Sequence, residues 1–525
     1  MRTTALKDWR RICRSSLCRW ALVLALIVPV SLLFFGGRTT ETDIIRFGVA
    51  SAALDLDPRF ATDATAERLD RLFYQRLVRL DDKGMPQPAI ADWTMPSPDH
   101  YRFVLNRRAG RFPDGRRLDA FDVAATFRYV LDARNASPHR AAIDMIERVE
   151  TPDARTIDFH LSRPDPLFPA YLELSILPAD RLEQGHDFAR MPFGSGPFRY
   201  LGAPAPGRLL MRRIRDGQRF EIVEVRNPTV RVLKLLRGEI DLLQSDLSPE
   251  LLGYLGAQPG IRLIRRPGSN FGYIGFNLRD PAIGKARVRR AIAHAIDRRS
   301  IIDKVLRGAA REAETLFPPE HWAGNDSLQA YPFDPGQARR LLREAGYGPD
   351  NPLTLVYKTS SDPFRIRLAT IIQSQLHDVG IEVDLRSYDW GTFFGDIKAG
   401  NFQFYSLNWV GVRTPDILRY IFASDALPPA GANRGRYASP VVDALLKRAA
   451  GADTLRAQAG LYRRIEAVLH EDLPYLPLWY EDQYAALNHR VVGYRVSADG
   501  NFDGLNDIEL TANMEPSHAT APNAH

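Results

Sequence analysis

From Ile44 onward the apolar positions follow two alternating periods. In "ERLDRLFYQRLV", Leu69, Leu72, Phe73 and Leu77 fall at helical spacing: Leu72 and Phe73 follow Leu69 by three and four residues and Leu77 follows Phe73 by four, so they share one face of a helix. In "RVRRAIAHAIDRR", Val288, Ala291, Ile292, Ala295 and Ile296 form one stripe, which predicts an amphipathic helix from Arg287. "SIIDKVLRG" restarts it, with Ser300 as the N-cap, Asp303 three residues on and Gly308 as the stop. "DPGQARRLLREAGY" supplies Asp334 as N-cap, Pro335 at the first helical position, Gln337 at the third and Gly346 as terminator. Period-two stretches alternate with these. "ARTIDFHLS" puts Ile157, Phe159 and Leu161 on one side of a strand. "YRFVLNRRAGRFPDGRRLDAFDVAATFRYVL" reads as strand, Gly/Pro turn and helix, capped by Asp119 or Asp122.

Further on, "PLTLVYK" and "IEVDLRSY" predict strands, the latter with Ile381, Val383 and Leu385 on one face. Between them "FRIRLATIIQSQLHDVG" predicts a helix with Leu368, Ile371, Ile372 and Val379 inward and Gly380 at its end. Strand, helix and strand on short loops imply a parallel pair. "TFFGDIKAGNFQFYSLNW" adds a helix and a strand that runs into Trp409. Ligands of open α/β sheets bind beyond the carboxyl ends of strands. The segment "NWVGVRTPDILRY", with Trp409 and Arg413, therefore stands where a site is expected.

Length and charge sharpen this α/β picture. A chain of 525 residues exceeds one core, so two or three domains are expected. The net charge is +7, but residues 1–37 carry +5 of it and leave +2 for the rest. That remainder excludes a nucleic-acid footprint. Cys13 and Cys18 are the only cysteines, so the remainder has neither a disulfide framework nor a thiolate metal site. The 16-residue apolar run Trp20 to Phe35 follows the basic residues 1–19, which is the order of an export segment with its cytoplasmic flank. Residues 20–37 are read as a signal sequence or a membrane anchor. Phe34 and Phe35 occupy the position where a cleavage site needs a small residue, so a retained tether stays open, and the bulk of the chain is expected in the periplasm. Residues 513–525 are small and polar and read as a disordered tail.

Catalytic motifs are missing. No phosphate loop, nucleophile elbow or H-E-x-x-H stretch occurs, and "GSGPF" reads as a tight turn. "DGNFDGLNDIEL" begins like a calcium loop, but Leu510 occupies the twelfth place, which needs a bidentate carboxylate. The expectation is a protein that is not an enzyme, with no catalytic residues, no metal and no cofactor.

Several blocks in order then carry a resemblance. "LDLDPRFATDATAERLDRLFYQRLVRLDDKGMPQPAIADW", "FVLNRRAGRFPDGRRLDAFDVAATF", "FGSGPFRY", "GSNFGYIGFNLRDPAIGKARVRRAIAHAIDRRSII", "QARRLLREAGY" and "DLPYLPLW" resemble the blocks of the family 5 extracytoplasmic solute-binding proteins of ABC transporters, the dipeptide and oligopeptide binders. The resemblance covers most of residues 44–512. It implies an α/β two-lobed periplasmic binding protein fold with an additional small domain and a cleft that closes by hinge motion. The first lobe would comprise 43–80, 190–272 and 485–512, the additional domain 81–189, and the second lobe 273–484. It further implies a monomer that captures a peptide or peptide-like solute and delivers it to ABC permease and ATPase subunits; the N-terminal apolar run, where retained, adds contact with the membrane. Ligand-binding residues implied by the family's pattern are Thr62, Asp63, Ala64, Asn270, Phe271, Asn408, Trp409, Val412 and Arg413. In peptide binders the third residue after the Trp is an Asp that pairs with the ligand's ammonium; here it is Val412, with Arg413 next to it. Asp416 or Asp389 would be the nearest substitutes. The readings that compete with an importer component are an anchored periplasmic sensor or scaffold of the same fold and an extracytoplasmic hydrolase.

Overall fold

The computed structural model describes residues 43–53 and 55–511. The basic flank, the apolar run, both cysteines and the tail at 513–525 lie outside the described residues. Among the described residues no helix is long and apolar enough to cross a membrane.

Two long antiparallel strands, Ile261–Phe276 and Tyr475–Asn488, form the spine of one large sheet. Their register shifts between Arg266 and Asn270. The intervening "PGS" explains the break. Pro267 has no N–H for the ladder, and a Cβ on Gly268 would lie 2.3 Å from the Glu481 carbonyl oxygen. On one side of the shift the sheet continues through Leu242–Gln244, Ile44–Val49, Arg219–Glu224, Arg208–Arg213 and Phe198–Ala205. On the other it continues through Phe404–Trp409, Leu353–Ser360 and Ile381–Tyr388. Each half has its own core. Phe47, Leu72, Met211 and Phe220 pack in the first. The second half has two, one around Ile292, Leu355 and Phe404 and one around Tyr273, Tyr405 and Ile465. This is a two-lobed α/β architecture. A separate four-stranded antiparallel sheet, in the order Ala91–Ser97, His100–Leu105, Thr156–Leu161 and Ile146–Glu150, packs with helix Ala120–Leu131 around Phe103, Phe127 and Phe159.

Local patterning accounts for most elements. Leu353–Ser360 and Ile381–Tyr388 pair in parallel around helix Pro363–His377, as the two short loops require. Asp334 accepts from the Gln337 N–H at 2.8 Å, and Gly346 ends that helix at φ +90°. At the start of Ala120–Leu131 both aspartates act. Asp119 caps the first turn and Asp122 bonds back to the Asp119 N–H.

Two expectations need correction. The first helix is Ala64–Phe73, so Leu77 lies outside it. The "GSGPF" turn closes over its end, where the Gly196 N–H donates to the Phe73 carbonyl at 2.8 Å. Leu77 is instead buried with the core of the four-stranded sheet. The N-cap near residue 300 is Asp297, which accepts from the Ser300 N–H at 2.9 Å, while Ser300 makes no cap bond. A carboxylate is the stronger acceptor for an orphan helix N–H.

Candidate functional site: a cleft with two chambers

Two cavities line the cleft where the lobes face each other. The larger, about 410 Å³, is walled by Ala64, Asn270, Tyr357, Trp390, Asn408 and Trp479 among others. The smaller, about 250 Å³, is walled by Arg71, Gly268, His321, Val412, Arg413 and Asp499 among others.

The implied binding residues divide between them. Ala64, Asn270 and Asn408 line the larger chamber; Val412 and Arg413 line the smaller. Four do not line either. Thr62 is exposed. Asp63 caps its helix, accepting from the Thr65 and Ala66 N–H groups at 3.1 and 2.9 Å. Phe271 is buried against Tyr273 and Tyr480, because its side of the strand faces the second-lobe core. Trp409 packs on the same core, stacked on Tyr273, with the Arg434 guanidinium 4.9 Å from its ring. Asp389 and Asp416 also stand apart from both chambers. The first caps helix Trp390–Ala399. The second is exposed and leads into helix Ile417–Phe422.

The smaller chamber is dominated by ion pairs. Arg413 donates from Nη1 to Glu173 Oε2 and reaches Asp499 Oδ2 with Nη2, both at 2.9 Å. Arg71 bridges Glu173 at 3.3 Å and Asp503 at 2.9 Å. Burial alone would raise Asp499, but Arg413 and Arg71 outweigh it and hold the carboxyl at about 2. Glu173 is likewise raised by burial and lowered on balance by Arg413, Arg76 and Arg71. Burial pulls the nearby Arg76 guanidinium down to about 10. The backbone carrying Arg413 is pinned separately. Burial pushes His321 down to about 4, so its ring is neutral at ordinary pH. Nε2–H donates to the Arg413 carbonyl at 3.0 Å and Nδ1 accepts from the Ala323 N–H at 3.2 Å. Gly84, at φ +76°, lies directly above, where a Cβ would come within 2.7 Å of that carbonyl.

The larger chamber has a different chemistry. Ser51, Thr65, Thr359, Ser360 and Ser406 supply hydroxyls. Among the described residues the buried Asn270 Oδ1 and Trp479 Nε1 have no hydrogen-bond partner, although such groups normally find one. Trp390 is 59% exposed at the rim and stacks on Phe394 at 5.3 Å. Arg365 meets Glu481 only at 3.5 Å. Ser245 and Asp246 are both left-handed at φ 58°, a strained pair in the wall. Sequence reasoning missed Trp390, Trp479, Arg365, Glu173 and Asp499. The one available cue was the second Trp, in "YDWGTFF" just ahead of a helix.

The comparisons agree with this architecture. The model for "Bacterial extracellular solute-binding proteins, family 5 Middle" matches residues 85–426. The chain is 28% identical over 514 residues to di/tripeptide-binding protein 2 of Pseudomonas aeruginosa, covering 85% of this chain and 94% of that one. It is 27% identical over 508 residues to heme-binding protein A of Haemophilus influenzae, covering 88% and 92%. Among solved structures, the periplasmic binding protein DppA of Helicobacter pylori in complex with peptide STSA superposes with a TM-score of 0.72 at 26% identity, covering 89% of this chain and 98% of that one.

Proposed function

The chain belongs to the family 5 bacterial extracellular solute-binding proteins, and on that premise we propose that its larger chamber captures a peptide-like solute lacking a free ammonium at the Arg413 end. The observation that carries this reading is the pairing of a hydroxyl-rich chamber, whose wall buries Asn270 and Trp479 atoms unpartnered among the described residues, with a neighbouring chamber already occupied by Arg413. The peptide class is supported by the di/tripeptide-binding relative and by the DppA complex with its peptide. Backbone groups of an extended ligand satisfy such polar walls without strict side-chain selection. Val412 cannot form a charge-assisted bond to an ammonium, and the paired Arg413 guanidinium repels one.

In this reading the lobes are 43–80 with 190–272 and 485–512, and 273–484, with 81–189 as the additional domain. The lobes hinge at the register break around Pro267 to Ser269. The protein is a monomer that passes its solute to an ABC permease and ATPase, and its N-terminal segment carries it out of the cytoplasm and tethers it there. The test is mass spectrometry of solutes that co-purify with the full-length protein. N-blocked or cyclic peptides, acidic ones among them, or a solute without an amine, are the expected finds. Abundant free-amine di- to pentapeptides would sink the ligand assignment.

A further inference from the structure

We propose that Glu173 and Asp499 form a cation subsite at the smaller end of the cleft, which the protein fills with its own Arg413. Arg413 is then a specificity-determining residue that bars ligand cations from this end. The inference rests on the cleft being the solute site.

The three side chains come from three separate packed bodies. Val412, next to Arg413, packs on the second-lobe core. Tyr171 and Leu174, which flank Glu173, pack on the core of the four-stranded sheet. Val496 and Phe502, either side of Asp499, belong to the first-lobe core. The two carboxylates therefore converge by tertiary folding, and both grip one guanidinium at 2.9 Å. Within this cluster Arg71, Arg76 and Arg413 face Glu173, Asp499 and Asp503, while Arg79, Arg311, Asp81, Asp82 and Glu320 line the rest of the chamber. Trimming Arg413 leaves one surplus anion and a hole shaped for a guanidinium, opening on the 250 Å³ cavity. The loop itself stays held, because His321 grips the Arg413 backbone carbonyl and not its side chain. A small organic cation, an alkylguanidinium or a primary ammonium, matches what is removed.

The test is chemical rescue in the full-length protein. Wild type and Arg413→Ala are titrated with methylguanidinium, and with trialanine in its free-amine and N-acetylated forms, by calorimetry and thermal melting. Methylguanidinium is expected to raise the melting temperature of Arg413→Ala and to leave wild type unmoved. Free trialanine is expected to bind Arg413→Ala tighter than wild type by about tenfold or more, the worth of one charge-assisted bond, with no such gain for the acetylated form. Equal responses of the two proteins to methylguanidinium would overturn the subsite. An Arg413→Ala chain that folds only in methylguanidinium supports it. Should that chain stay unfolded even there, Arg413→Gln decides: rescue supports the subsite and indifference overturns it. The methylguanidinium response needs no transported solute. Rescue without binding of either peptide form to wild type would therefore count against the peptide reading and leave the subsite standing.

Discussion

The two ends of the cleft are built from opposite materials. Around Arg413, half-buried charges meet one another at 2.9 Å and the Asp499 carboxyl is held at about 2. Around Trp390, hydroxyls line open space, and an amide oxygen and an indole N–H lie buried in the wall without a partner among the described residues. A buried polar atom without a partner is costly, and a ligand that supplies the partner recovers that cost. A buried ion pair already has its partner and gains nothing from a ligand. The contrast thus separates a surface ready for solute from one that has been satisfied internally.

The largest effect expected from breaking this contrast is on stability at the charged end. Asp499→Ala leaves Arg413 with one of its two carboxylates, and urea unfolding should show a loss of about 3 kcal/mol or more, the usual cost of breaking a buried pair. A loss under about 1 kcal/mol would place the cluster with ordinary surface pairs. Trp390→Ala should do the reverse. Its ring is 59% exposed, so the melting curve should hold, while affinity for the co-purified solute falls by about tenfold or more. Trp409→Ala, half-buried against the second-lobe core, should instead cost about 2 kcal/mol in unfolding free energy.

Acid titration gives a smaller and sign-specific effect. The folded Asp499 carboxyl is depressed to about 2 from an ordinary value of 3.8, so the stability it contributes is complete above that ordinary value and is lost as pH falls toward 2. Asp499→Asn should flatten the unfolding profile in that window. Glu466 behaves oppositely. Burial lifts it to about 8 from 4.5, so the folded state holds the extra proton and stability falls as pH rises between these values. Glu466→Gln should therefore be more stable than wild type at pH 8 and nearly equal at pH 4. The smallest effect belongs to Arg367, whose 2.8 Å pair with Glu250 on helix Pro249–Gly256 is exposed on both sides. Arg367→Ala should change unfolding by under about 1 kcal/mol.

How much of this was legible in the sequence follows from how far apart the partners lie. The caps at Asp334 and Asp119, the stripe around Ile292 and the parallel strand pair depend on residues a few places apart, and local spacing reveals them. Ser300 misled because Asp297, three residues earlier, competes for the same N–H groups. Leu77 misled because helical spacing does not show that a glycine turn more than a hundred residues later closes the helix. Glu173 and Arg413 are 240 residues apart, and no local pattern joins them. Asp499 sits in a stretch that reads as a turn, and its carboxylate does accept from Ser497 and Asn501, yet it also takes Arg413. The family pattern made the Val412 anomaly visible; only the fold shows what Arg413 does beside it.

The most direct measurement is calorimetric binding of one short peptide to the wild-type protein in two forms, free at its amino terminus and N-acetylated. The acetylated form should bind at least as tightly as the free one, since its end meets Arg413 without repulsion. A free-amine form that binds about tenfold tighter, the margin of one charge-assisted bond, would contradict the claim that this cleft has filled its own cation site.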